Sequence, residues 1–201
     1  MAIKASRGTF GSLSTGELKA ESFTLTGAST TTTNIGTPNT GVTAVEYGDG
    51  YFHRTVLTIN RANASGLVTA DGASLASGYK LYTFPTGIVL LDASYMDVGL
   101  TSVEHVAETP KVGLGTVIGS TAVAVLNGTA TFMNILTEQA TDAMDGSSTA
   151  IAKLPTTIGY PLLLTSDDVY FNMALGWANT AGADNTVDIA GTVVLMWRFV
   201  A

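Results

Sequence analysis

His53 and His105 are the only histidines in the chain, and cysteine is absent. An imidazole exchanges a proton near neutral pH, so each is a candidate general base. His105 with Asp97 and one of many serines has the residue types of a nucleophilic triad. The Gly-x-Ser-x-Gly turn that strains and exposes a serine nucleophile is missing, however. His53 sits inside an alternating stretch, where a surface or interface position is expected. Two isolated histidines without thiolates are too few for a zinc site.

Carboxylates are the next candidates. Glu46, Asp49, Asp142, Asp145, Asp167, Asp168, Asp184 and Asp188 have the chemistry for glycoside hydrolysis or calcium binding. No calcium-loop spacing occurs. Asp49, Asp145 and Asp184 fall in turns, where aspartate hydrogen-bonds its own backbone. Gly113, Gly115 and Gly119 only approach a dinucleotide fingerprint, so they read as a β-turn or bulge. Gly11 to Gly16 lacks the Lys-Ser/Thr of a phosphate loop. Asn63 and Asn127 head glycosylation triplets but read as loop residues. Tyr47, Tyr51, Phe52, Tyr79, Tyr82, Trp177 and Trp197 could form a sugar platform, or pack in a core or interface. No constellation supports an enzyme, and no cofactor or metal is expected.

The elements that position these residues are strands. Val42–Tyr47 and Tyr51–Asn60 flank Gly48-Asp49-Gly50, the pattern of a hairpin. A short strand is expected around Leu67-Val68-Thr69. Tyr79–Phe84 alternates until Pro85, which cannot donate to a ladder. Gly87–Val98 reads as a long strand bent in the middle. Lys111–Ser120, Thr121–Leu126 and Ala130–Met133 read as short β segments. Leu136–Met144 is the best helix candidate, at about two turns. Pro161–Leu164 is a short apolar run, and Asp168–Trp177 a strong strand. Thr186–Phe199 closes the chain with Val193, Leu195, Trp197 and Phe199 on one face. Its other face is partly apolar too, which marks a central strand or one in contact with another subunit.

These signals predict an all-β fold, a sandwich or barrel, and do not by themselves select a topology; the preferred reading is an antiparallel β-sandwich, jelly-roll type, with an extended N-terminal arm and one short helix. Residues 1–40 are read as the arm and 41–201 as the sandwich domain. The arm has five glycines, a run of four threonines from Thr30, and apolar residues spaced singly: Ile3, Phe10, Leu13, Leu18, Phe23 and Leu25. Such a segment buries too little by itself to offset its ordering entropy, so it reads either as an extended arm lying on a partner or as an ordinary flexible terminus plus one edge strand. Those six residues and Trp197 are the candidate partner or subunit contacts.

Composition narrows the partners. Thr, Ala, Gly and Ser make up nearly half of the chain, and only 12% of residues are charged. A net charge of −7 argues against nucleic acid and anionic membranes. No secretory signal or spanning apolar run is read, and the absence of cysteine suits a reducing cytoplasm.

Several stretches resemble the capsid decoration, or cement, proteins of tailed bacteriophages. They are Gly41–Gly50 running into Arg54–Ile59, Tyr79–Gly87 with its Phe84-Pro85-x-Gly87 end, Asp168–Asn172, and Val187–Trp197. The resemblance implies a jelly-roll body on the capsid exterior, made in the bacterial host cytoplasm. It implies a homotrimer at three-fold or quasi-three-fold sites, with the major capsid protein as partner. Another virion component (a major capsid or head/tail fibre protein) and a carbohydrate-binding module are the alternatives.

Overall fold

The structure, a computed structural model, describes residues 35–48, 51–61, 68–69, 75–102, 109–120, 125–126, 130–141, 149–154, 161–165, 167–175 and 185–200. Twelve strands run through them: β1 Thr37–Pro38, β2 Val42–Gly48, β3 Phe52–Arg61, β4 Val68–Thr69, β5 Leu75–Thr83, β6 Ile88–Ser102, β7 Lys111–Gly115, β8 Leu136–Ala140, β9 Thr149–Leu154, β10 Leu162–Thr165, β11 Asp168–Leu175 and β12 Asn185–Phe199.

The strands form two antiparallel sheets. One has the order β10-β6-β12-β3-β2, with β9 on β6 and β4 on β12; the other has β1-β5-β11-β7-β8. After the β2–β3 hairpin the chain changes sheet at β5, β6, β7, β9, β11 and β12. The fold is therefore an all-β sandwich. Its core joins both sheets. Leu57, Ile59, Met96, Leu100, Val193 and Leu195 from one meet Leu81, Val112, Leu114 and Phe171 from the other. Full burial of each such side chain contributes about 1.5–3 kcal/mol.

β12 is central, between β3 and β6, which accounts for its two-sided apolar pattern. Gly191 in this strand has φ +147°, and a Cβ there would lie 2.3 Å from the Asp97 carbonyl oxygen. Only glycine lets the central strand run that close to its neighbour.

Two bulges reset the alternation. Val169 pairs with Tyr82 while Tyr170 pairs with Lys80, so Leu81 is an extra residue in β5. Tyr82 thereby turns inward with Tyr79, although strict alternation sets the two on opposite faces. Asp92 is likewise extra in β6, between Leu91 opposite Trp197 and Ala93 opposite Met196. This is the bend expected in that strand.

Three expectations require correction. Leu136–Ala140, read as the start of a helix, is β8. Its Leu136 is buried, and it pairs with β7, whose edge would otherwise lack ladder partners. That pairing outweighs the local helix preference; residues 142–144 lie outside the described ones. Ala130–Phe132, read as β, is a 3-10 turn. It packs on Gly115, where a Cβ would meet the Thr131 carbonyl oxygen at 2.3 Å, and Thr116 N–H donates to that oxygen. The Lys111–Ser120 strand stops at Gly115.

Residues 35–40, counted with the arm above, are tied to the body. β1 pairs with β5, Gly36 N–H donates to the Tyr82 hydroxyl at 2.8 Å, and Asn39 N–H donates to the Leu81 carbonyl.

Candidate functional site

The residues best equipped for chemistry meet at one end of the sandwich, between the sheets. In β3, His53, Thr55, Leu57 and Ile59 share the inward face; in β2, Glu46 does. Hairpin register sets Glu46 opposite Thr55, next to the Gly48–His53 pair. His53 Nδ1 lies 3.2 Å from Glu46 Oε1. The Tyr82 hydroxyl donates to Glu46 Oε2 at 3.5 Å, and the Thr55 side chain also hydrogen-bonds this carboxyl. Trp197 Nε1–H donates to Thr55 Oγ1 at 2.8 Å. The His53 ring stacks on Trp197, with centroids 4.0 Å apart and planes 9° from parallel. Phe84 and Phe199 meet Trp197 edge-on.

His53 is 4% exposed and Glu46 7%. The surface or interface position expected for His53 is therefore corrected: its parity with Leu57 and Ile59 carries it into the core. The signal was present in the alternation, but a buried histidine needs a partner. That partner, Glu46, becomes visible only once the hairpin closes.

Burial pushes the Glu46 carboxyl above its usual range, against the opposing pull of Thr55, His53 and Tyr82. Burial, then the Glu46 charge, pushes the Tyr82 phenol well above its ordinary value. A carboxylate behind an imidazole orients a general base in triad chemistry. Here the remaining ring nitrogen, Nε2, is buried with no hydrogen-bond partner among the described residues. Trp197 covers one face of the ring, and the His53 side chain is buried, though both residues border a depression on the seven-stranded sheet. The arrangement braces the end of the sandwich.

A second cluster lies on the outer face of the five-stranded sheet. Asp168 Oδ1 accepts from Lys80 Nζ at 2.7 Å and from Thr83 Oγ1 at 2.7 Å; Oδ2 accepts from the Tyr170 hydroxyl at 2.9 Å. Burial alone would raise the Asp168 carboxyl, but the three donors outweigh it and hold the group below its usual range. Partial burial and the Asp168 carboxylate push the Tyr170 phenol up to about 12. A carboxyl with a depressed folded value stabilises the fold above its unfolded value, 3.8. That contribution is lost as pH falls through the folded value. Asp168→Asn is therefore expected to cost about 1 kcal/mol near pH 7, given the exposure of the pair. The difference from the unsubstituted protein should shrink below about pH 4 in urea titrations; a gap unchanged down to pH 2 contradicts it.

One end of the outer face of the seven-stranded sheet is largely apolar, up to a polar row of Asp97, Thr192, Thr58 and Thr43. Across β6, β12, β3 and β2, register aligns Tyr95, Val194, Val56 and Val45 in one row and Ala93, Met196, Arg54 and Tyr47 in the next. Beyond them, Leu163, Leu90, Arg198 and Phe52 form a third row. Leu163 is 59% exposed, Phe52 53% and Met196 46%. A depression of about 440 Å³ opens here among Tyr47, Phe52, Arg54, Asp92 and Met196, and the buried His53 and Trp197 also form part of its wall.

Of the interface candidates, Trp197 is in the core, at 1% exposure. Ile3, Phe10, Leu13, Leu18, Phe23 and Leu25 lie outside the described residues. So do His105, Asp49, Asp142, Asp145, Asp184, Asn63, Asn127 and Trp177. Asp167 caps its own turn by accepting from Thr165 N–H at 2.7 Å. Tyr79 and Tyr82 are core residues, whereas Tyr51 and Phe52 are exposed. Among the described residues no three His, Asp or Glu side chains converge, and no helix is long and apolar enough to cross a membrane.

No protein-family model and no curated protein matches the chain. Among solved structures, an arabinose-bound α-L-arabinofuranosidase aligns at 14% identity with a TM-score of 0.36. The alignment covers 80% of this chain and 23% of that one. A likeness that distant carries no argument.

Proposed function

We propose that the chain is a structural virion protein with a jelly-roll body, binding the outside of a phage capsid and cementing neighbouring major capsid subunits. The observation that carries this reading is the strand order. The orders β3-β12-β6-β10 and β5-β11-β7-β8, with repeated crossings between the sheets, support a jelly-roll reading of the sandwich, an architecture shared by viral capsid and lectin domains. Fold alone does not assign function. The sequence resemblance to decoration proteins supplies the choice of the shell. Low charge suits attachment through many weak, repeated contacts, which multivalency converts into firm binding. Trimerisation at three-fold or quasi-three-fold positions belongs to the same proposal.

The test is to mix the purified protein with emptied, expanded capsids and image them by electron microscopy. Regular density at three-fold positions is expected, and bare shells overturn the reading. Removing residues 2–34, which stops short of the β1 contacts, is expected to leave a folded body with weakened occupancy. Unchanged occupancy rules out the arm as a capsid contact.

The second reading, a carbohydrate-binding module, is favoured by the exposed Tyr51, Phe52 and Tyr95. Glycan-array binding abolished by Tyr95→Ala would establish it.

A further inference from the structure

We propose that the apolar end of the outer face of the seven-stranded sheet is the docking surface of the body. Its occupant is an apolar protein surface that carries carboxylates. On the shell reading, on which this assignment rests, that surface belongs to the major capsid protein.

Three observations carry it. The first is continuity: side chains on four neighbouring strands align in rows, so the exposed apolar positions form one surface instead of scattered residues. The second is composition. Tyr, Phe, Met and Arg, the types enriched in interface centres, meet around one depression, while the chain as a whole is poor in charge.

The third is charge. The chain carries −7 overall, yet both cations described on this surface are arginines laid over aromatic rings. Arg54 Cζ is 5.8 Å from the Tyr47 ring centre and Arg198 Cζ 5.9 Å from that of Phe52. Stacking holds a guanidinium flat and leaves its edge for a carboxylate. Arg198 Nε is 3.3 Å from Asp92 Oδ2. Arg54 has no carboxylate partner among the described residues. Arg54, stacked on Tyr47 and unpaired with a carboxylate among the described residues, is complementary to an acidic apolar partner and repels a basic one.

The experiment uses the full chain and the variants Arg54→Glu and Met196→Glu, both at exposed positions. Far-UV circular dichroism and thermal melting establish that they fold. Cosedimentation with expanded capsids is expected to show each variant binding about ten-fold more weakly or worse. Arg54→Glu is also expected to flatten the salt dependence of binding. Folded variants that bind like the unsubstituted chain overturn the proposal. So does glycan binding that the same variants abolish, or an oligomer that they dissociate without affecting capsid binding.

If the unsubstituted chain fails to sediment with capsids, the shell reading falls and the surface is judged separately. A short peptide of alternating glutamate and leucine is titrated into ¹⁵N-labelled protein. Shifts centred on Tyr47, Arg54 and Met196 uphold the surface; shifts elsewhere, or none, overturn it.

Discussion

Trp197→Ala is expected to lower the unfolding free energy by about 3–5 kcal/mol, the range for a large aromatic removed from a core. Trp197 is the largest fully buried side chain among the described residues, in the central strand, and four groups depend on it. The His53 ring loses its stacking partner, Phe84 and Phe199 lose edge contacts, and the Thr55 hydroxyl loses the indole N–H. The vacated volume lies beside a buried carboxyl whose partners hold their geometry partly through this ring. In urea, the transition midpoint should fall with little change in slope. For a chain of this length the melting temperature should drop by roughly 10 °C. Trp197→Phe keeps most of the packing and loses the hydrogen bond, so it should cost clearly less. A loss below about 1 kcal/mol for the alanine variant would show that the core recloses around the gap.

Asn172→Asp should be comparably damaging for a different reason. Asn172, on β11, is fully buried, and two of the three hydrogen bonds of its side chain require the amide nitrogen as donor. Its oxygen accepts from Gly119 N–H at 2.7 Å, and its nitrogen donates to the carbonyls of Val117 and Phe132 at 2.9 and 2.8 Å. One side chain thus ties the turn after β7 and the 3-10 turn to the sheet. Gly78 makes the room: a Cβ there would stand 2.2 Å from the Asn172 oxygen. Aspartate keeps the shape but faces two carbonyl oxygens with an acceptor. Leaving a buried charge uncompensated costs about 3–5 kcal/mol. The new carboxyl should have a raised folded value, so its deficit should shrink as pH falls and it protonates. Equal deficits at pH 7 and pH 4 in urea titrations would contradict this account. Asn172→Leu should be destabilising at both, because three backbone groups lose their partner.

Much of the strand layout was legible in the sequence. The β2–β3 hairpin, the stop at Pro85, the bent β6 and the two-sided β12 all follow from alternation and turn chemistry, which act within a few residues. β8 was not legible, because its conformation is decided by the unpaired edge of β7 across the sheet. The inward turn of Tyr82 was hidden for a similar reason. A bulge at Leu81 exists only in register with β11, and one extra residue reverses every side chain beyond it.

The Glu46–His53 network divides the same way. Each residue's parity can be read from its own strand. Their meeting, and the stacking of His53 on Trp197 from the far end of the chain, are products of pairing. By itself the sequence determined the element types, the absence of thiol chemistry and the low charge, since these depend on composition and near neighbours. Only the tertiary structure decided which polar residues are shut inside and which apolar residues are left outside. Burial belongs to a surface made by several strands together, and no single strand carries it.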